Sequence, residues 1–149
     1  HLDAVVGELV CCGGGGLSGG IALALKHCSP HTRVHVVEPV CYDDTVRSLE
    51  LGERVPMDKN AKSICDAIAV AMPGALTFPI LHSCGAGGVV VTDDDVRAAM
   101  RYAFSTLKLV VEPGGAVALA AVLSGAFPVK GRSLVADESR ATGIFFRSH

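Results

Sequence analysis

Apolar positions recur along this chain with two periods, and the alternation between them sets the elements. Leu2 to Cys12 is a Val- and Leu-rich run that stops at glycine, the mark of a strand buried on both faces, with an irregular turn at Gly7-Glu8. Leu17 to Cys28 carries helical spacing and is stopped by Ser29-Pro30. Arg33 to Glu38 reads as a second strand. Thr45 to Leu51 reads as a helix, capped by Asp43 or Asp44 and closed by Gly52. After a polar connection, Glu53 to Asn60, two short helices are expected at Lys62 to Val70 and Leu76 to Ser83, separated by Met72-Pro73-Gly74. Val89 to Val91 is a brief strand. Thr92 and Asp95 then form a capping-box pair ahead of a helix from Asp93 to about Leu109, with Val96, Met100, Ala103, Phe104 and Leu107 on one face. Glu112-Pro113 opens another helix, whose stretch Ala116 to Leu123 is apolar all round and is ended by Ser124-Gly125. Arg132 to Ala136 is the last expected strand. Strands alternating with helices predict an α/β fold of three layers, a mostly parallel sheet with helices on both faces.

Composition narrows the class. The 149 residues match one domain, 1–149, and a chain of that length buries roughly 70% of its unfolded surface. Half the residues are hydrophobic, and 13 Lys+Arg face 15 Asp+Glu, so no basic field invites nucleic acid or an anionic membrane. Ala116 to Leu123 falls far short of the about 20 residues that span a bilayer. The chain opens on His1 with no signal-peptide pattern, so no targeting segment is expected, the setting is cytoplasmic, and the chain reads as a piece of a longer polypeptide. Six cysteines without a CxxC pair read as buried, reduced thiols. His27, His31 and His35 recur every four residues, but Pro30 breaks the helix that a metal-binding face would need.

Candidate chemistry gathers at Cys11 to Gly20, CCGGGGLSGG, where a strand runs through four glycines into a helix. Free backbone N–H groups and the positive end of the helix dipole converge at such a junction, which makes it an anion site. Residues without Cβ let the backbone approach phosphate oxygens closely. Two ligands compete. Gly14, Gly16 and Gly19 fit G-x-G-x-x-G, and Glu38 ends the next strand 24 residues after Gly14, where a dinucleotide fold places the acid that binds a ribose hydroxyl. A single phosphate group is the other candidate.

Three segments, GGGGLSGGIALALK, EPVCYDDTVRSLELGERVP and LKLVVEPGGAVALAAVLSG, together resemble the pyridoxal-phosphate (PLP) dependent threonine/serine dehydratase and serine racemase family. The resemblance runs from about Leu2 to Val135 and implies a fragment of the tryptophan synthase beta-like fold, the C-terminal part of a dehydratase catalytic domain. It assigns Gly13, Gly14, Gly15, Gly16 and Leu17 to the cofactor phosphate. Glu112, in Glu112-Pro113-Gly114-Gly115-Ala116, and Ala67, in Cys65-Asp66-Ala67-Ile68, are placed near the cofactor ring, with Ala67 adding a methyl where the family has glycine and Gly114 lacking the family's hydroxyl. Glu38-Pro39 and Asp43-Asp44 resemble the family's second motif, which in serine racemase relatives holds a divalent cation, and the ligands carried over by position would be Glu38, the Tyr42 carbonyl and Asp44. Such hard oxygen donors suit Mg²⁺ or Ca²⁺. The simpler alternative is that Glu38 ends a strand and the Asp pair caps a helix.

The resemblance also shows what the chain lacks. The family's reactive lysine lies in a Ser-x-Lys-x-Arg-Gly-type segment, and Lys26, Lys59, Lys62, Lys108 and Lys130 have no such context, so no catalytic residue is assigned in this chain. After the last strand the family's Ser-Gly-Gly-Asn is replaced by Asp137-Glu138-Ser139-Arg140, opening a divergent tail at about 137–149. The implied partner is a small amino acid, threonine or serine, deaminated to a 2-oxo acid and ammonia, with homo-oligomers expected of the full-length protein. Three rivals stand beside the dehydratase: a serine racemase, a nicotinamide-dependent oxidoreductase, and a non-catalytic regulatory or dimerising module.

Overall fold

The chain was studied as a computed structural model that describes residues 5–129, 133–137 and 144–147. Strands β1 (Val5–Cys11), β2 (Arg33–Pro39), β3 (Gly87–Val91), β4 (Ser133–Asp137) and β5 (Ile144–Arg147) form one sheet in the order β3-β2-β1-β4-β5. The first four are parallel, and β5 runs antiparallel to β4. In β1 the side-chain alternation feeds two separate cores. Val10 and Cys12 face α1 (Gly16–Cys28), α2 (Asp44–Leu51) and α3 (Thr77–Ser83) through Ala22, Val46 and Leu81. Leu9 and Cys11 face the opposite side, where α5 (Val117–Leu123) crosses the sheet and α4 (Asp93–Tyr102) packs against α5. This is the three-layer α/β arrangement that the sequence predicts.

The central helix shows why its sequence has no polar face. Ala116 through Ala121 are wholly buried, because the helix touches all four parallel strands on one side and α4 on the other. Alanines at these positions let the backbones approach closely without leaving voids. The Thr92–Asp95 capping box forms as expected, with Asp95 N–H donating to Thr92 Oγ1 and Thr92 N–H to the Asp95 carboxylate.

Several expectations are corrected. Lys62 to Val70 is not a helix: only Asp66–Ile68 makes a 3-10 turn. The segment is held from outside, since Ser63 Oγ and the Ile64 amide donate to the Asp93 carboxylate, 2.6 and 3.1 Å, and the Ser63 amide donates to Tyr42 Oη. The helix expected to reach Leu109 changes at Ala103–Leu107 into a π-turn, closed by Lys108 in the left-handed region at φ 61°. The wider turn rotates the register, so Phe104 points to solvent while Val96, Ala99 and Ala103 stay buried. Neither Asp43 nor Asp44 caps α2 with its side chain. Cys28 and Cys41 are exposed rather than buried. The irregularity in β1 falls between Val5 and Gly7, slightly before the expected Gly7-Glu8. Strand β5 went unforeseen, although Ile144-Phe145-Phe146 carries a strand-like composition. Ser139 and most of the divergent tail lie outside the described residues.

Candidate functional site

The glycine turn lies at the carboxyl end of β1, near the middle of the sheet, where parallel α/β folds place their ligands. Gly15 is the N-cap of α1 and holds φ +82°, a left-handed conformation that a side chain disfavours. A Cβ there would also stand 2.8 Å from Thr77 Oγ1. The first helical bond runs from the Gly19 amide to the Gly15 carbonyl, so the amides of Gly16, Leu17 and Ser18 precede the ladder and have no helical acceptor. Around Gly14 and Gly16 a Cβ would meet nothing within 4 Å. That open space belongs to a cleft of about 240 Å³ lined by Cys11, Gly13 to Ser18, Ala67 and Ile68.

The cleft wall comes from a distant part of the chain. Gly13 packs on it, since a Cβ at this position would lie 3.1 Å from the Ile68 carbonyl oxygen. Behind the wall stands Gly114, whose added Cβ would meet Ile68 Cγ2 at 3.2 Å and the Ala67 methyl at 3.6 Å. The Glu112–Gly114 segment therefore backs the wall, while the half-buried Glu112 is not among the residues lining the cleft. On the other flank, the Gly14 carbonyl accepts hydrogen bonds from Thr77 Oγ1 and the Gly74 amide. The sequence patterns assign no site role to Gly74, Thr77 or Ile68. Pro73-Gly74 carries a turn signal, but nothing local shows that it would clamp a residue some sixty positions earlier.

The next strand-to-helix junction is built differently. Glu38, only 1% exposed, turns its carboxylate onto the first turn of α2, accepting from the Thr45 amide at 3.3 Å and the Val46 amide at 2.8 Å. Glu38 thus does the capping expected of the Asp pair, while Asp43 instead pairs with Arg47 at 2.9 Å. Asp44 is also 1% exposed, and neither of its carboxylate oxygens has a hydrogen-bond partner. Burial pushes the Glu38 carboxyl up to about 8, opposed by the Val46 amide and reinforced by the nearby Asp44 charge. Burial likewise raises Asp44 to about 6. Between the two junctions sits Cys12, whose thiol is pushed up to about 12, chiefly by burial and then by the Glu38 charge, so it stays protonated and unreactive. Among the described residues no three His, Cys, Asp or Glu side chains gather around one point, so any cation here would need backbone oxygen as well.

These geometries separate the two candidate anions. A dinucleotide would need Glu38 free to meet a ribose, yet that carboxylate is buried and already bound to two amides. Of the two junctions, the glycine turn alone offers free donors. The family model described as pyridoxal-phosphate dependent enzyme matches residues 2–136. The chain belongs to this family. Among curated relatives, serine racemase of Dictyostelium discoideum is 36% identical over 133 residues, which cover 87% of this chain and 39% of that protein. L-threonine ammonia-lyase of Geobacter sulfurreducens is 37% identical over 124 residues, covering 83% and 31%. In structure, a threonine deaminase from T.th. superposes with a TM-score of 0.82 at 37% identity, covering 93% of this chain and 50% of that one. The processed threonine deaminase isoform 2 of Solanum lycopersicum gives a TM-score of 0.85 at 31% identity, covering 95% and 41%. The fold is that of the tryptophan synthase beta-like PLP enzymes. The chain spans well under half the length of these curated relatives. No helix among the described residues is long and apolar enough to cross a membrane.

Proposed function

We propose that this chain is the phosphate-holding part of a PLP-dependent threonine/serine dehydratase, a single domain that corresponds to the C-terminal part of the catalytic unit. The observation that carries the reading is the glycine turn: a left-handed Gly15 cap, helix amides without acceptors, and a cleft in front of them. When bound, PLP supplies an electron sink that acidifies the α C–H bond of an amino acid. The amides of Gly13 to Leu17 would hold its phosphate, each charge-assisted bond contributing roughly 1.5–3 kcal/mol. Ala67, which lines the cleft, would adjoin the ring, while Glu112, which the resemblance also places near the ring, does not line the cleft. No lysine is among the described residues that line the cleft, and the reading assigns no reactive amine to this chain.

A divalent cation, Mg²⁺ or Ca²⁺, belongs to the same reading. Two buried carboxylates with raised proton affinity, one of them without a hydrogen-bond partner on either oxygen, form an oxygen site in which the Arg47 charge offsets only part of the cost of burial. Glu38, Asp44 and the Tyr42 carbonyl would hold the ion, which neutralises the pair and fixes the start of α2. The orphaned Asp44 also favours a second reading, serine racemase, since the resemblance links this cation motif to racemases. The cytoplasmic setting, the threonine or serine substrate and homo-oligomeric assembly of the full-length protein are parts of the proposal.

Calorimetric titration with pyridoxine 5′-phosphate, which binds without an aldehyde-reactive lysine, tests the cradle. Binding that inorganic phosphate displaces supports it. NADH binding that phosphate cannot displace overturns it. The purified chain alone is expected to release no 2-oxobutanoate from threonine, and steady release would contradict the assignment of no catalytic residue.

A further inference from the structure

Thr77 reaches the glycine turn from outside the cleft. Its hydroxyl donates to the Gly14 carbonyl at 2.5 Å, across 63 positions of chain, and the Gly74 amide donates to the same oxygen at 3.3 Å. A carbonyl oxygen has two lone pairs, so these two donors fill it. The Thr77 hydroxyl has one proton and two carbonyls in reach, but the Gly74 oxygen is farther, at 3.4 Å, and the Gly14 oxygen takes the proton. The packing is tight around this bond. A Cβ at Gly15 would fall 2.8 Å from Thr77 Oγ1, and one at Gly74 would fall 2.5 Å from Oγ1 and 2.7 Å from the Gly14 oxygen. Gly14 and Gly15 line the cleft, whereas Thr77 and Gly74 do not.

The Gly14 carbonyl and the Gly15 N–H share one trans peptide plane and point in opposite directions. Drawing the carbonyl onto Thr77 and Gly74 therefore turns the Gly15 N–H away from them. Nothing local enforces that choice, because the plane rotates about Gly14 ψ and Gly15 φ, and neither residue has a side chain to resist a half-turn. A half-turn would set the Gly14 oxygen where the amide had been, and a carbonyl dipole repels an anion. We propose that Thr77 is a positioning residue of the phosphate cradle: its hydroxyl locks the Gly14–Gly15 peptide so that the Gly15 N–H faces the cleft and donates to a phosphate group. The inference deepens the phosphate reading above and rests on it. Thr77 itself touches no ligand.

The test titrates the chain with pyridoxine 5′-phosphate by calorimetry and follows the backbone amide signals by ¹⁵N–¹H NMR. In the native chain the Gly15 amide proton should shift downfield on binding, together with those of Gly16 and Leu17. Thr77→Val keeps the shape and removes the donor, and losing one charge-assisted amide bond corresponds to about 10–100-fold weaker binding. Its Gly15 response should vanish while the Gly16 and Leu17 responses persist, a selective change that general loosening of α3 would not produce. Thr77→Ser should bind within about threefold of the native chain. A loss below tenfold in folded Thr77→Val overturns the role, and so does a Thr77→Ser variant as weak as Thr77→Val. If Thr77→Val does not fold, the native spectrum decides: a silent Gly15 amide beside responding Gly16 and Leu17 overturns the positioning and leaves the cradle reading intact. Absence of pyridoxine 5′-phosphate binding to the native chain overturns both together.

Discussion

The β1–α1 and β2–α2 junctions are two solutions to one problem. Each runs from a parallel strand into a helix whose first amides lack helical acceptors. At α2 the chain supplies its own acceptor, with Glu38 closing on the Thr45 and Val46 amides. At α1 it supplies none: the turn is glycine, the cap residue is left-handed, and a cleft stands in front. The difference teaches that an open helix terminus is informative only beside a closed one in the same fold. A motif match counts both as candidate nucleotide contacts, whereas hydrogen-bond accounting leaves one of them free for a ligand.

The comparison can be broken most forcefully at Gly15. Gly15→Val places a branched side chain at φ +82° and against Thr77 Oγ1, so a loss of about 2–4 kcal/mol in urea unfolding at constant m-value is expected, together with loss of phosphate binding. An unchanged midpoint would show that the turn is not held as described. Removing the internal acceptor comes next. Glu38→Ala strands the Thr45 and Val46 amides in the core and should cost about 1–3 kcal/mol. A neutral result would mean that water replaces the carboxylate and that the second junction is not closed.

Proton linkage sharpens the contrast further. Glu38 rises from an ordinary 4.5 to about 8 in the folded chain, so between those values the folded state holds a proton that the unfolded state has released. In EDTA, stability should therefore be full near and below pH 4.5 and decline as pH rises through 8. Asp44, raised from 3.8 to about 6, adds to the lower part of that decline. Millimolar Mg²⁺ or Ca²⁺ should flatten the profile, and Asp44→Asn should remove its lower portion, both read by thermal melts across pH. The smallest effect on stability is expected at Gly16, where a Cβ meets nothing within 4 Å. Gly16→Ala should leave stability unchanged or raise it by about 0.5–1 kcal/mol while weakening pyridoxine 5′-phosphate binding. Unweakened binding would place the ligand elsewhere.

Much of this was legible before any coordinates. Strand-helix alternation marked the parallel sheet, Thr92 and Asp95 marked a helix start, and the apolar stretch after Ala116 marked a buried helix, because each signal is written within one or two turns of chain. Long-range features were not legible. Lys62 to Val70 has helical apolar spacing, yet the Asp93 carboxylate and Tyr42 hydroxyl draw its polar groups into an irregular path. The π-turn that rotates Phe104 outward likewise has no local marker.

By itself the sequence determined the period of each element, the glycine turn between β1 and α1, and the kinds of atoms available there, since these depend on neighbours along the chain. Only the tertiary structure decided that Glu38 would meet the first turn of α2 instead of a ribose, that Ile68 and Thr77 would grip the glycines, and that Cys12 would lie between two helix starts. The physical reason is that satisfying a buried amide or carboxylate is settled among groups far apart in sequence, and only packing brings them within hydrogen-bond reach.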